Sequence, residues 1–180
     1  MAATKHAIAI KNDSQQYLTQ ALFQLLAKKP LTEITVTALV ARAGVSRMAF
    51  YRNYDTLEDI LQAYFAPRMQ QLFDNVILQQ PAEKKLEDMT TFFTELGEQL
   101  RLAEQRHYED IIRDLFTAKM TAYYAQWPAA NRYWMVFMTH GVYGIWREWL
   151  LSGQHESLSS LHALIKALQD TTAAVVMSPR

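Results

Sequence analysis

The chain of 180 residues contains no cysteine. That removes disulfides, thiolate metal sites and a cysteine nucleophile from consideration. No apolar run approaches the roughly 18 residues of a membrane-spanning helix, and the first residues, MAATKHAIAIKNDS, lack the longer apolar core and cleavage site of a signal peptide. A cytoplasmic protein is therefore expected. Glycine and proline number only five each, and there is no low-complexity tract, internal repeat or long linker. Catalytic signatures are missing as well. His6, His107, His140, His155 and His162 are scattered, His155-Glu156 has no second histidine four residues on, and neither a Gly-rich phosphate loop nor a Gly-x-Ser-x-Gly elbow occurs. Glu104, Glu109, Asp110 and Asp114 read as a solvated helix face with Arg106 and Arg113. No enzyme activity, cofactor or metal is expected.

What is present is helical periodicity. Half the residues are hydrophobic, enough for a sizeable core. Leu18, Ala21, Leu22, Leu25 and Leu26 define an amphipathic helix ended by Pro30. Leu57, Ile60, Leu61, Tyr64 and Phe65 define another, begun by a capping box of Thr56 with Asp59. Met69, Leu72 and Phe73 continue that stripe beyond Pro67, so a single kinked helix is expected. After Gln79-Gln80-Pro81, Leu86, Met89, Phe93, Leu96 and Leu100 mark a further helix. Others span roughly His107 to Gln126, closed by Trp127-Pro128, then Asn131 to Ser152, then from Ser157 onward. The fold class is all-α.

The most informative stretch lies between Ile34 and Phe65. Thr35 can cap a short helix whose Val36, Leu39, Val40 and Ala43 share one face. Gly44 falls where a left-handed residue closes a helix, and Ser46 can cap the next. In that second helix Val45, Ala49, Phe50 and Tyr54 fall inward, leaving Arg47, Met48, Tyr51, Arg52 and Asn53 outward. Two short helices joined by a tight turn, with polar residues at the start of the second, make a helix-turn-helix, a shape that enters a DNA groove. Net charge is zero, but residues 1–54 carry Lys5, Lys11, Lys28, Lys29, Arg42, Arg47 and Arg52 against only Asp13 and Glu33. A basic end on an otherwise acidic chain suits phosphate binding.

Thr35-Val36, Ala43-Gly44-Val45-Ser46, Phe50-Tyr51 and Tyr54, with the lead-in Lys29-Pro30-Leu31-Thr32-Glu33-Ile34, resemble the TetR family of bacterial transcriptional regulators over about the first third of the chain. The sequence departs from the family pattern at Met48, where glycine is common, and at Leu57, where lysine is common. The resemblance implies an N-terminal three-helix DNA-binding domain, residues 1–56, and a C-terminal helical domain for effector binding and dimerisation, residues 57–180. It implies a homodimer on a palindromic double-stranded DNA operator, more often a repressor, with Arg47 and Met48 reaching base edges. Thr35, Thr37, Ser46, Tyr51, Arg52 and Asn53 would hold phosphates. A TetR-like coregulator that acts through protein contact is the alternative, with a small all-α enzyme behind it.

For the C-terminal part the residues themselves leave two readings open. The four tryptophans, Trp127, Trp134, Trp146 and Trp149, are crowded together. Phe93, Leu96, Ile112, Phe116, Met120, Tyr123, Tyr124, Phe137, His140 and Tyr143 would line a cavity for a small apolar or aromatic effector, or they form ordinary core. Gly141 and Gly144, mid-helix, suggest close helix approach. THGVYGIWREWLLSG resembles the penultimate helix of TetR-like proteins whose last two helices pair between subunits. That implies a dimer interface of Val142, Ile145, Trp146, Trp149, Leu161, Ile165 and Leu168.

Overall fold

The computed structural model describes residues 5–77, 81–127 and 131–177; the breaks expected at Gln79-Gln80 and Pro128 lie outside them. Among the described residues all regular structure is helical: α1 Lys5–Leu26, α2 Val36–Ala43, α3 Arg47–Tyr51, α4 Leu57–Ile77, α5 Ala82–Gln105, α6 Glu109–Tyr124, α7 Arg132–Leu151 and α8 Leu158–Met177, with a 3₁₀ turn at Leu31–Glu33. No described helix is long and apolar enough to cross a membrane. Pro67 lies inside α4 without ending it. The backbone donor it lacks would have bonded the carbonyl of Ala63, and both residues sit on the exposed side, where water can satisfy that carbonyl.

The chain forms two compact units. The first comprises the described residues up to Pro67 together with Leu102–Ile112. It runs past the 56/57 division drawn from the sequence and takes in a stretch from the middle of the chain. Its core is the apolar stripe of α1 (Leu18, Leu22 and Leu26, at most 1% exposed) against Leu39 of α2, Phe50 of α3 and Ile60, Leu61 and Phe65 of α4, all fully enclosed. Each such side chain contributes about 1.5–3 kcal/mol by leaving water. Phe23 meets Tyr64 edge-on at 4.7 Å between ring centres, tying α1 to α4.

The segment Leu102–Ile112 joins this unit by two devices. Tyr108, 2% exposed, stacks on Phe65 with ring centres 6.3 Å apart. The Arg106 guanidinium donates to the Ala27 carbonyl at 3.1 Å, and the Leu31 amide donates to the Arg106 carbonyl at 2.8 Å. Ala27 follows directly on α1, whose last carbonyls have no helical donor, so a cation there also meets the negative end of the helix dipole.

The second unit comprises Arg68–Arg101 and the described residues from Arg113 onward. Its aromatics pack on one another in three groups. Phe93 meets Trp146 and Trp149 at 5.3 and 5.1 Å. Phe116 meets Phe73 and Tyr143, each at 5.4 Å. Tyr124 meets Trp134 at 5.0 Å and Trp127 at 5.8 Å. Three hydrogen bonds fix α8 and the turn before it: Trp149 Nε1 to the Glu156 carbonyl at 2.8 Å, Trp134 Nε1 to Thr172 Oγ1 at 2.9 Å, and Gln169 Nε2 to the Tyr124 hydroxyl at 2.6 Å. The α7–α8 turn uses Gly153 at φ 101° and Gln154 at φ 59°, left-handed values that glycine adopts without Cβ strain.

Candidate nucleic-acid interface

The segment of α2, turn and α3 is assembled by local chemistry. Thr35, in extended backbone, accepts from the Ala38 amide at 3.1 Å through its hydroxyl and so starts α2. Gly44 ends it at φ 68°, ψ 26°, a left-handed conformation that costs an L-residue about 1–2 kcal/mol. The Val45 amide then returns to the Val40 carbonyl at 3.1 Å. Ser46 accepts from the Ala49 amide at 3.1 Å and starts α3. Three residues, Gly44, Val45 and Ser46, join α2 to α3.

α3 is short, and its orientation is set by one side chain. Phe50 is fully buried with Ala49 beside it, while Tyr54 beyond the helix end packs against Phe50 at 6.3 Å. Burial pushes the Tyr54 phenol up, and a hydrogen bond with Thr19 partly offsets this. The opposite face carries Arg47, Met48, Tyr51 and Arg52, with Met48 77% and Tyr51 49% exposed. Thr37 is exposed on the first turn of α2, and Ser46 and Thr35 are exposed caps. Asn53 differs from its neighbours. It is half buried, its amide donates to the Ala49 carbonyl at 2.6 Å, and its side-chain oxygen is enclosed. It closes the end of α3, and its amide is already engaged with the backbone.

Around this face lie groups whose placement the sequence pattern did not specify. Arg42 is exposed and held by Gln24 of α1, Nε to Oε1 at 2.6 Å, so its guanidinium is fixed rather than free to roam. Leu57 is buried and is part of the core. The start of α4 is secured by the expected capping box: the Thr56 amide donates to Asp59 Oδ2 at 2.8 Å and the Asp59 amide to Thr56 Oγ1 at 3.2 Å. The Thr56 amide, then that of Asp55, holds the Asp59 carboxyl below its usual range against a weaker opposing effect of burial.

Of the residues expected to line an effector cavity, Phe116 meets Tyr143 and Tyr123 meets Tyr124. Phe93 belongs to the Trp146–Trp149 group, Phe116 and Tyr143 to another, Tyr123 and Tyr124 to the third. Leu96 and Met120 are buried core, and Ile112 falls in the first unit. Phe137 is 58% exposed and His140 is exposed, both on the outer face of α7. Of the residues expected to pair subunits, Val142, Trp149, Leu161 and Ile165 are buried in their own unit, and Ile145 and Trp146 pack against that same cluster. Only Leu168 is exposed. Within the unit, Trp149 and Leu161 pack with Phe93 and Leu100 of α5 and Leu158 of α8. An open groove of about 780 Å³ is lined by residues that include Gly141, Gly144, Ile145, Glu148, Trp149 and Leu164. Among the described residues no cluster of three or more potential metal ligands occurs.

No protein-family model matches the chain, and no curated protein matches it.

Proposed function

We propose that this protein is a TetR-like, sequence-specific DNA-binding regulator that acts as a homodimer on a two-fold site. The observation that carries the reading is the two-sidedness of α3: Phe50 is fully buried, while Met48 two residues earlier is 77% exposed beside Arg47, Tyr51 and Arg52. A short capped helix that offers two guanidiniums, a phenol and a thioether to solvent suits a major groove. Arginine reads guanine O6 and N7, an apolar tip meets a thymine methyl, and hydroxyls and cations hold phosphates. Arg47 and Met48 take the base edges; Thr35, Thr37, Ser46, Tyr51 and Arg52 take the backbone.

Selection of bound sequences from a random duplex pool, followed by titration of the winner against salt, tests this. Enrichment of a palindrome whose half-sites lie about one helical turn apart supports it. Failure to retain any duplex at low ionic strength overturns it. The coregulator reading draws on Leu57, buried where a phosphate-binding lysine is common in the resembling family; under it the pool yields no enrichment.

A further inference from the structure

The outer face of α7 carries a stripe left uncovered among the described residues. Tyr133 is 81%, Phe137 58% and Leu151 39% exposed, and His140, Gly144 and Glu148 between them are exposed too. Their spacing of three and four keeps them on one side of the helix. A Cβ placed on Gly144 or Gly141 would meet nothing within 4 Å. The packing of the described residues therefore does not require glycine there, although each costs about 0.5–1 kcal/mol relative to alanine in a helix interior. Glycine at such a place suits close approach by something outside the chain.

The order of the stripe says what that is. Reading outward from Gly144, His140 and Glu148 stand four residues to either side, and Phe137 and Leu151 stand seven. Where two copies of a helix cross antiparallel on a two-fold axis, each position meets its mirror about the central residue. With Gly144 on the axis, His140 faces the partner's Glu148 and Phe137 faces the partner's Leu151, each pair formed twice. In this register an imidazole N–H donates to a carboxylate and apolar groups meet. The groove beside the stripe, edged by Leu164 at 50% exposure, lies along the same face.

We propose that α7 pairs with α7 of a second copy, antiparallel about Gly144, with reciprocal His140–Glu148 and Phe137–Leu151 contacts. This rests on the homodimer reading and specifies its register. On α8, Lys166 and Asp170 bond each other at 2.8 Å, on the side of the helix opposite Leu164 and Leu168.

Sedimentation equilibrium of the full chain tests it, with circular dichroism to establish that each variant is folded. His140→Glu sets two carboxylates against each other at both pairs, and the dimer dissociation constant should rise about tenfold or more at low salt. Glu148→Lys removes the acceptor and should weaken the dimer in the same direction. The double variant H140E/E148K exchanges the partners and should return to within about threefold of the wild type. The two residues lie about 12 Å apart along one helix, so recovery can arise only between subunits. A dimer indifferent to both single changes, or a double variant at least as weak as the singles, overturns the register and leaves the homodimer reading standing. A wild-type chain that stays monomeric at high concentration overturns both.

Discussion

The Arg47 guanidinium donates to the Tyr51 hydroxyl at 3.3 Å and lies 5.9 Å from the centre of the Tyr51 ring. One helical turn separates them, and both are exposed, so the pair restrains the arginine on the face that would meet DNA. Replacing Arg47 with alanine should weaken binding to the selected sequence by about 1–3 kcal/mol and relax preference at one base pair. Arg52→Ala should instead weaken all sequences alike and reduce the slope of log affinity against log salt by about one. Fluorescence anisotropy with selected and scrambled duplexes over a salt series distinguishes the two; unchanged binding in both variants would remove α3 from the groove.

Met48 and Phe50 separate stability from recognition. Phe50→Ala empties a fully enclosed site and should cost about 3–5 kcal/mol of stability. Met48→Ala, on the exposed side, should stay within about 0.5 kcal/mol while altering sequence preference. Urea denaturation and repeated duplex selection measure the two effects; a large stability loss from the Met48 change would contradict its outward placement.

The same substitution at two glycines should have opposite signs. Gly44→Ala forces a Cβ into a left-handed residue and should destabilise by about 1–2 kcal/mol. Gly141→Ala, with open space around the new Cβ, should stabilise the subunit by about 0.5–1 kcal/mol. Removing the cap hydroxyl with Ser46→Ala or Thr35→Ala should cost about 0.5–2 kcal/mol each. Thermal denaturation at concentrations where all variants share one oligomeric state reads these differences.

Tyr124 and His162 contribute pH dependence of opposite sense. Burial, with the neighbouring Tyr123 adding to it and the Gln169 hydrogen bond opposing, pushes the Tyr124 phenol from 10.0 up to about 12. The fold thus favours the neutral phenol, and that stability is complete below pH 10 and lost as pH rises toward 12. Burial, then Lys85 and Lys166, lowers His162 from 6.5. The fold favours its neutral form, so that contribution is present above pH 6.5 and declines as pH falls below it. Denaturation midpoints from pH 4 to 12 should flatten at the alkaline end in Tyr124→Phe and at the acid end in His162→Gln. Unchanged profiles would refute the assignments.

Helix ends and turns were legible because their causes are local. Thr35, Gly44, Ser46 and the Thr56–Asp59 box each act on backbone groups within four residues, and Ser46 capping and Gly44 closure appear as the residue types imply. The inward set of α3 followed from spacing alone. Less could be read from α7, where an apolar stripe wide enough to be half buried and half free does not say which half. Val142 and Trp149 look as suited to a partner as Phe137 does, and only the neighbouring α8 and α5 decide between them. Arg106 is a similar case. Nothing in its surroundings in sequence indicates that its guanidinium closes the end of α1, seventy-nine positions away.

The sequence by itself determined an all-α chain, its caps and turns, and the two-faced α3, because hydrogen bonds between near neighbours and a period of 3.6 residues suffice for these. Tertiary structure decided that Leu102–Ile112 belongs with the first unit, that the tryptophans pack in two separate pairs, and that Gly141 and Gly144 stand open to solvent. Those outcomes depend on which distant surfaces meet, and a helix's periodicity states only that a face must be covered, never by what.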